Sequence, residues 1–394
     1  MTFTKKEIKW EKVAVIDIWS YKIRAWVCSL KNKEIELIWY WEKRQNSGDI
    51  IMWEFVWLQW ICENLKLAIK KAEKDANSEI KNIIINFPFG ELFFSAKKIN
   101  YRRKFPRDSI DKKETEEIIK KVEKEAVWRY IKQIEESTPY EKEELKIITS
   151  SITRIKIDSK ETNELKNAKW ENINICLLNA FISYDKYSLI NHIEKAINKK
   201  VIKIIPAEVA ITSLFNDYKN IVIVDVWNNH TSIIVKRENY INGIERINLW
   251  IDDLLKNISK KTKKTKIDII NSIDNEEFTE EKTHFLKVFK KCLIIWLEEI
   301  LNKEICPNKF FITWWWANEF LKNYIRNLYL SNDNLKIIWN IEVVEFITDF
   351  EEKITSKSST WIIWMIKQAE KIMSSKKDPL IESIEKAIWE IEKS

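Results

Sequence analysis

"FFITWWWANEF" (310–320) places Trp314, Trp315 and Trp316 directly behind a short apolar run that reads as a buried strand. Each indole buries on the order of 150–250 Å² and needs a partner for its N–H. Three in succession cannot all turn to one side. With glycine in the three positions, the same stretch becomes a strand, a glycine-rich turn and an amphipathic helix. Composition favours this second reading. The chain of 394 residues has 3 Gly and 20 Trp, together 23, whereas average usage of about 7% would give roughly 28 Gly. Backbones of this size need left-handed residues, and glycine is their usual occupant. We therefore expect most of the tryptophans to stand where the living protein has glycine, through a UGA codon reassigned to glycine. A Trp-rich binding protein is the alternative.

The remaining composition frames the problem. A chain of this length exceeds one ordinary core and predicts two or more domains. Charged residues are 32% and hydrophobic ones 45%, which is globular composition. A net charge of +7 is modest and predicts no nucleic-acid partner. Cys28, Cys62, Cys176, Cys292 and Cys306 form no CxxC pair, and the three histidines lie far apart. This predicts a reduced cytoplasmic chain without a structural metal. No apolar run of membrane-spanning length and no signal peptide are expected.

"KVAVIDIWSYKIRAWVCS" (12–29) reads as a strand ending in Asp17, a turn, and a second strand. With glycine at Trp19, the turn carries Asp17, Ser20 and Lys22 around a point of close backbone approach. That set suits phosphate: N–H groups cradle oxygens and the carboxylate positions hydrated Mg²⁺. An ordinary hairpin with a strand-end Asp is the alternative. "NIVIVDVWNNHTSIIVKR" (220–237) repeats the design with Asp225, Trp227, Asn228, Asn229 and Thr231. Two such hairpins about 200 residues apart suggest two related α/β lobes facing one nucleotide. The turn at 314–316, with Ala317, then lets the backbone pass an adenosine.

Taken in order, these motifs resemble the actin-like ATPase superfamily and, within it, the bacterial cell-division protein FtsA. D-I-W-S (17–20) and D-V-W-N-N (225–229) are similar to its phosphate motifs, and T-W-W-W-A (313–317) to its adenosine motif. "IIPAEVAITSLF" (204–215) and "STWIIWMIKQ" (359–368) resemble its two connecting helices, which pack through small residues and so imply glycine at Trp361 and Trp364. The resemblance implies an α/β actin-like ATPase fold: two ribonuclease-H-like lobes around an interlobe nucleotide cleft, with a small α+β subdomain inserted in the first lobe. The implied layout is a first lobe over 1–81 and 171–215, and an SHS2-like insertion over 82–170. The second lobe follows over 216–238 and 305–372, with an upper subdomain at 239–304 and a tail at 373–394.

The implied cofactors are ATP and Mg²⁺, with Asp17 and Asp225 acting on the metal through water. Glu208 takes the water-orienting position, and hydrolysis is at most slow. Asn228 and Asn229 stand where the family has glycine and a small residue; Asn tolerates the left-handed region better than most residues. The implied partners are the FtsZ C-terminal tail, a second copy in a filament, and other divisome proteins through the insertion. The acidic FtsZ tail directs attention to the Lys-rich stretch 256–266, with Lys260, Lys261, Lys263 and Lys264. "DPLIESIEKAIWEIEKS" (378–394) has Ile381, Ile384, Ile388 and Ile391 at helical spacing; docking on the inner face of the cell membrane and docking on protein both stay open. The alternatives in function are a type IV pilus assembly protein of the PilM kind, which shares the insertion, and a small-molecule kinase of the same fold. Trp10, Trp128 and Trp389 lie outside glycine-requiring motifs, and Trp128 falls in a helical stretch.

Overall fold

The computed structural model describes residues 12–18, 22–31, 34–44, 50–51, 54–55, 58–86, 92–162, 164–169, 171–215, 218–226, 230–238, 240–247, 249, 251–273, 277–301, 307, 309–314 and 342–344. The chain divides into two compact units that meet in sequence between Ala210 and Ile211.

In the first unit, "KVAVIDI" forms β1 (Lys12–Ile18), buried without a break from Val13 onward. Continuous burial is what a strand covered on both faces requires. β2 (Lys22–Lys31) returns antiparallel beside it, and β3 (Glu34–Arg44) follows antiparallel to β2. A short pair, β4 (Ile50–Ile51) and β5 (Glu54–Phe55), precedes α1 (Leu58–Asp75). That helix buries Ile61, Cys62, Leu65, Ala68, Ile69 and Ala72, the three- and four-residue spacing of one apolar face. β6 (Asn82–Asn86) then adds parallel to β1 on its other side.

An inserted layer follows. β7 (Phe93–Arg102), α2 (Lys112–Ser137), β8 (Leu145–Ile157), β9 (Lys160–Thr162) and β10 (Asn172–Ser183) give a four-stranded sheet ordered β7-β10-β8-β9 with α2 against it. α2 starts at Asp111, whose carboxylate accepts from the Glu114 N–H at 2.7 Å, an N-cap that satisfies an otherwise orphan donor. The sheet does not fall at the expected boundaries of 82 and 170. β6 belongs to the first sheet, whereas β10 bonds to both β7 and β8 inside the insertion. The chain returns through α3 (Tyr184–Ile197) to β11 (Lys200–Ile204), parallel to β6, and enters α4 (Ala207–Ile211).

The second unit repeats the first. β12 (Ile221–Val226), β13 (Thr231–Arg237) and β14 (Tyr240–Ile247) run antiparallel in succession. α5 (Ile251–Thr262), α6 (Lys266–Ser272) and α7 (Thr279–Leu301) then cover the sheet, and β15 (Lys309–Trp314) and β16 (Glu342–Val344) add in parallel. The two five-stranded sheets read β11-β6-β1-β2-β3 and β16-β15-β12-β13-β14, the same order in the same directions. The stretch 239–304, expected as the upper subdomain of the second lobe, shares a sheet and a core with the strands before it. Its first strand, β14, belongs to this sheet, and Leu254, Ile258, Phe285, Phe289 and Leu293 share one core with Val222, Val224 and Val235.

Gly243, in β14, shows what a true glycine does here. A Cβ at this position would lie 2.5 Å from Cγ2 of Ile300 on α7. Gly243→Ala should therefore cost about 1–3 kcal/mol as overpacking, read as a lowered urea midpoint with unchanged slope. An unchanged midpoint would mean that α7 packs less closely on β14 than described.

The left-handed positions correct the composition argument in part. Among the described residues they are Asn77, Asp158, Ser159, Asn167, Asn198, Glu238, Lys263 and Phe278, with φ from 40° to 72°. Asn and Asp hold half of them, as their side chains allow, and none is a tryptophan. The described tryptophans lie instead in regular elements: Trp26, Trp39, Trp41 and Trp314 in strands, and Trp60, Trp128 and Trp296 in helices. Glycine inside a helix costs about 1 kcal/mol relative to alanine, so local backbone conformation does not ask for glycine at these three. The turn positions Trp19, Trp170, Trp227, Trp315 and Trp316, and also Trp10, Trp361, Trp364 and Trp389, lie outside the described residues.

Candidate functional site

Asp17 is the last residue but one of β1 and is fully buried. In register it stands between Arg24 on β2 and Asn86 on β6. Asn86 Nδ2 donates to Asp17 Oδ1 at 2.8 Å. Arg24 Nη1 lies 3.9 Å from Oδ2, and its Nε lies 3.7 Å from Glu42 on β3. A carboxylate removed from water needs a cation and donors, and both come from neighbouring strands. Neither Arg24 nor Asn86 is evident as a partner from sequence. Asn86 is 69 residues away, and only the parallel pairing of β1 with β6 brings it alongside.

Asp225 occupies the same place in the second unit, last but one in β12 and buried. Its cross-strand neighbours are Ser232 on β13 and Thr313 on β15. Thus the acid is flanked by Arg and Asn in the first unit, and by Ser and Thr in the second. The next register pair is Val226 with Trp314. β12 and β15, adjacent and parallel, therefore end side by side at Val226 and Trp314. In open α/β sheets this is the edge where ligands bind.

His230 immediately precedes β13 and Thr231 opens it, and both are buried. Burial, with Arg246 nearby, holds the His230 imidazole well below its usual range, so it is neutral near pH 7. Thr231 Oγ1 donates to the Leu249 carbonyl at 2.8 Å. The hydroxyl expected to meet phosphate is committed to the backbone. Glu208 lies on α4 and is buried. Lys22 opens β2, while Trp19, Ser20, Trp227, Asn228, Asn229, Trp315, Trp316 and Ala317 lie outside the described residues, as do the second connecting helix and the C-terminal segment.

The Lys-rich stretch is less cationic than its sequence suggests. Lys261 Nζ is 3.0 Å from Glu281 and 3.8 Å from Glu280, and Lys264 Nζ is 2.7 Å from Glu277. Lys260 and Lys263 are exposed beside them. The acids come from the start of α7 and the residues just before it, so folding offsets part of the charge of the cluster. Exposed pairs of this kind hold together weakly, so an acidic peptide can compete for them.

Mg²⁺ keeps part of its water shell and takes one or two carboxylates together with substrate phosphates. Asp17 in the first unit and Asp225 in the second are each a buried carboxylate near a strand end, the residue type this mode uses. Among the described residues, no group of three His, Cys, Asp or Glu is placed to hold a metal ion. No helix among them is long and apolar enough to cross a membrane.

No family model matches the chain, and no curated protein does. Among solved structures, the chain is similar to one chain of the PilM–PilN type IV pilus biogenesis complex. The TM-score is 0.56 at 10% identity, over 94% of this chain and 98% of that one. Weaker likenesses are to the ethanolamine utilization protein EutJ of Carboxydothermus hydrogenoformans (TM-score 0.39, 10% identity, 80% and 81% covered) and to a Bacteroides thetaiotaomicron protein with an actin-like ATPase fold (0.36, 7%, 83% and 91%). At 10% identity the first of these likenesses is one of fold. Together with the doubled sheet order, it makes this an α/β protein of actin-like architecture.

Proposed function

We propose that the chain is a nucleotide-binding adaptor: it holds Mg-ATP through its two phosphate hairpins, hydrolyses it slowly at most, and uses the bound state to engage a protein partner. The observation that carries this reading is the equivalence of Asp17 and Asp225, both buried at the carboxyl ends of the corresponding strands β1 and β12. In this reading, glycine stands at Trp19, Trp227 and Trp314 to Trp316, giving the backbone room beside the nucleotide. Mg²⁺, when bound, offsets phosphate charge; Asp17 and Asp225 hold its waters, and Glu208 orients a water for slow hydrolysis.

Two forms of the adaptor follow. In the FtsA-like form it links FtsZ filaments to the cytoplasmic face of the cell membrane at the division site, and Lys260, Lys261, Lys263 and Lys264 take up the acidic FtsZ tail. In the PilM-like form it serves pilus assembly. The likeness along nearly the whole chain to a chain of the PilM–PilN complex keeps this second form level with the first.

The test is a titration of the glycine-restored chain, with and without Mg-ATP, against an FtsZ C-terminal peptide and against PilN peptides. For the FtsA-like form, FtsZ peptide affinity should fall severalfold between low and high salt, because surface charges are screened over about 8–10 Å. It should fall likewise when the four lysines become alanine. Binding of the PilN peptide alone would select the PilM-like form. Failure to bind Mg-ATP at all would remove the adaptor reading.

A further inference from the structure

The core of the inserted layer is interrupted by a row of polar side chains. On β10, Ile173, Ile175 and Leu177 face α2 in one apolar cluster, and Phe181 does so in another. Between them lies Asn179, fully buried. Its register partners are Ser95 on β7 and Ser150 on β8, both buried. Two bulges in the β8–β10 ladder, at Cys176/Leu177 and Ala180/Phe181, bracket this pair. A bulge re-aims side chains, and here Ser150 comes to face α2 while adjacent Thr149 donates to the Ile204 carbonyl of β11 at 2.9 Å.

Opposite the row, α2 presents Glu123, fully buried between Val122 of the first cluster and Val127 of the second. Ser150 Oγ donates to Glu123 Oε1 at 2.8 Å. Glu123 Oε2, Ser95 Oγ and both polar atoms of Asn179 are buried without a hydrogen bond of good geometry among the described residues. Groups in that condition are costly, and an ionised carboxyl most of all.

We propose that Glu123 is a proton-operated latch of the inserted layer, holding α2 on β8 and β10 as the neutral acid and releasing it as the carboxylate. The neutral carboxyl brings an O–H that the acceptor Oδ1 of Asn179 can take. The carboxylate brings a charge between two apolar clusters with no cation to meet it. β10 carries no charged residue. From β7, Lys97 reaches Gln133 at 3.2 Å and lies over the Tyr130 ring. From β8, Arg154 pairs with Glu161 at 3.7 Å. On α2 itself the nearest residues a turn away are Ile119, Lys120, Ala126 and Val127, and Lys120 is exposed. Burial lifts the Glu123 carboxyl to about 7, while the neighbouring Ser150 and Asn179 pull it the other way.

The sign follows from linkage. A carboxyl raised in the closed state contributes most below its ordinary value near 4.5, and that contribution is lost as pH rises to about 7. The opening equilibrium of α2 should thus increase about tenfold between pH 6 and pH 8, and no further above that. Amide hydrogen exchange of the full chain, corrected for intrinsic rates, reads this directly along 112–137. We expect protection there to fall about tenfold from pH 6 to pH 8 in the unaltered chain and to stay level in Glu123→Gln, while α7 follows neither trend. Equal protection of α2 at both pH values would overturn the latch, as would a Glu123→Gln variant that tracks the unaltered chain. If that variant does not fold, the exchange profile of the unaltered chain decides alone.

Discussion

Replacing Glu114 by alanine should remove about 1.5–3 kcal/mol of stability, because it takes a charge-assisted fork away from a buried guanidinium. Arg103 leaves the end of β7 with its side chain fully buried. Its Nε and Nη2 each donate to one oxygen of Glu114 at 2.7 Å, and Nη2 also donates to the Asp108 carbonyl at 3.0 Å. This fork fastens the loop between β7 and α2 to the first turn of the helix. The alanine variant keeps the N-cap, since Asp111 accepts from the backbone N–H of residue 114. Its loss therefore reports on the ion pair and not on helix capping. Glu114→Gln, which keeps an acceptor in place, should lose clearly less. Urea unfolding of the three chains checks both; equal midpoints for alanine and the unaltered residue would mean that Arg103 is served by other groups.

Asp17→Asn should weaken Mg-ATP binding by about 10- to 100-fold in a chain carrying glycine at 19, 227 and 314–316. A hydrogen bond to a charged group contributes about 1.5–3 kcal/mol, and asparagine keeps the shape while losing the charge that orders the waters of Mg²⁺. The same substitution removes the charge that Arg24 faces across β1 and β2, so unfolding must be measured alongside the titration. Asp225→Asn makes the equivalent change on β12, where the register neighbours are Ser232 and Thr313. Isothermal titration with and without Mg²⁺ separates the outcomes. Unchanged affinity in both variants would exclude the two carboxylates from the site.

The doubled design was legible because strand-end acids followed by turns are local patterns. "KVAVIDI" and "NIVIVDV" announce buried strands by their unbroken apolar runs, and both appear as β1 and β12 with the acid where expected. Boundaries were less legible. A strand's sheet is chosen by pairing across the chain, so β6 and β10 could not be assigned from "NIIIN" and "NINICLLNAFIS" alone. The same distance hid Asn86 from Asp17 and Glu123 from Asn179. Charge was misleading for a related reason: the Lys-rich stretch and the acids of α7 are neighbours only after the helices pack. Glycine demand was read from composition, which cannot show that Asn77, Asn167 and Asn198 take left-handed turns themselves.

Two sheets of one strand order within a single chain amount to one plan built twice. The two halves are lengthened at different joints. The first accepted the layer β7 to β10 after its fourth strand, and the second grew α5 to α7 between its third and fourth. Each half therefore serves as an internal control for the other. Where Arg24 and Asn86 flank the acid in one copy, Ser232 and Thr313 flank it in the other. Exchanging those flanking pairs between the halves would show which part of the plan is common to both and which part belongs to each half alone.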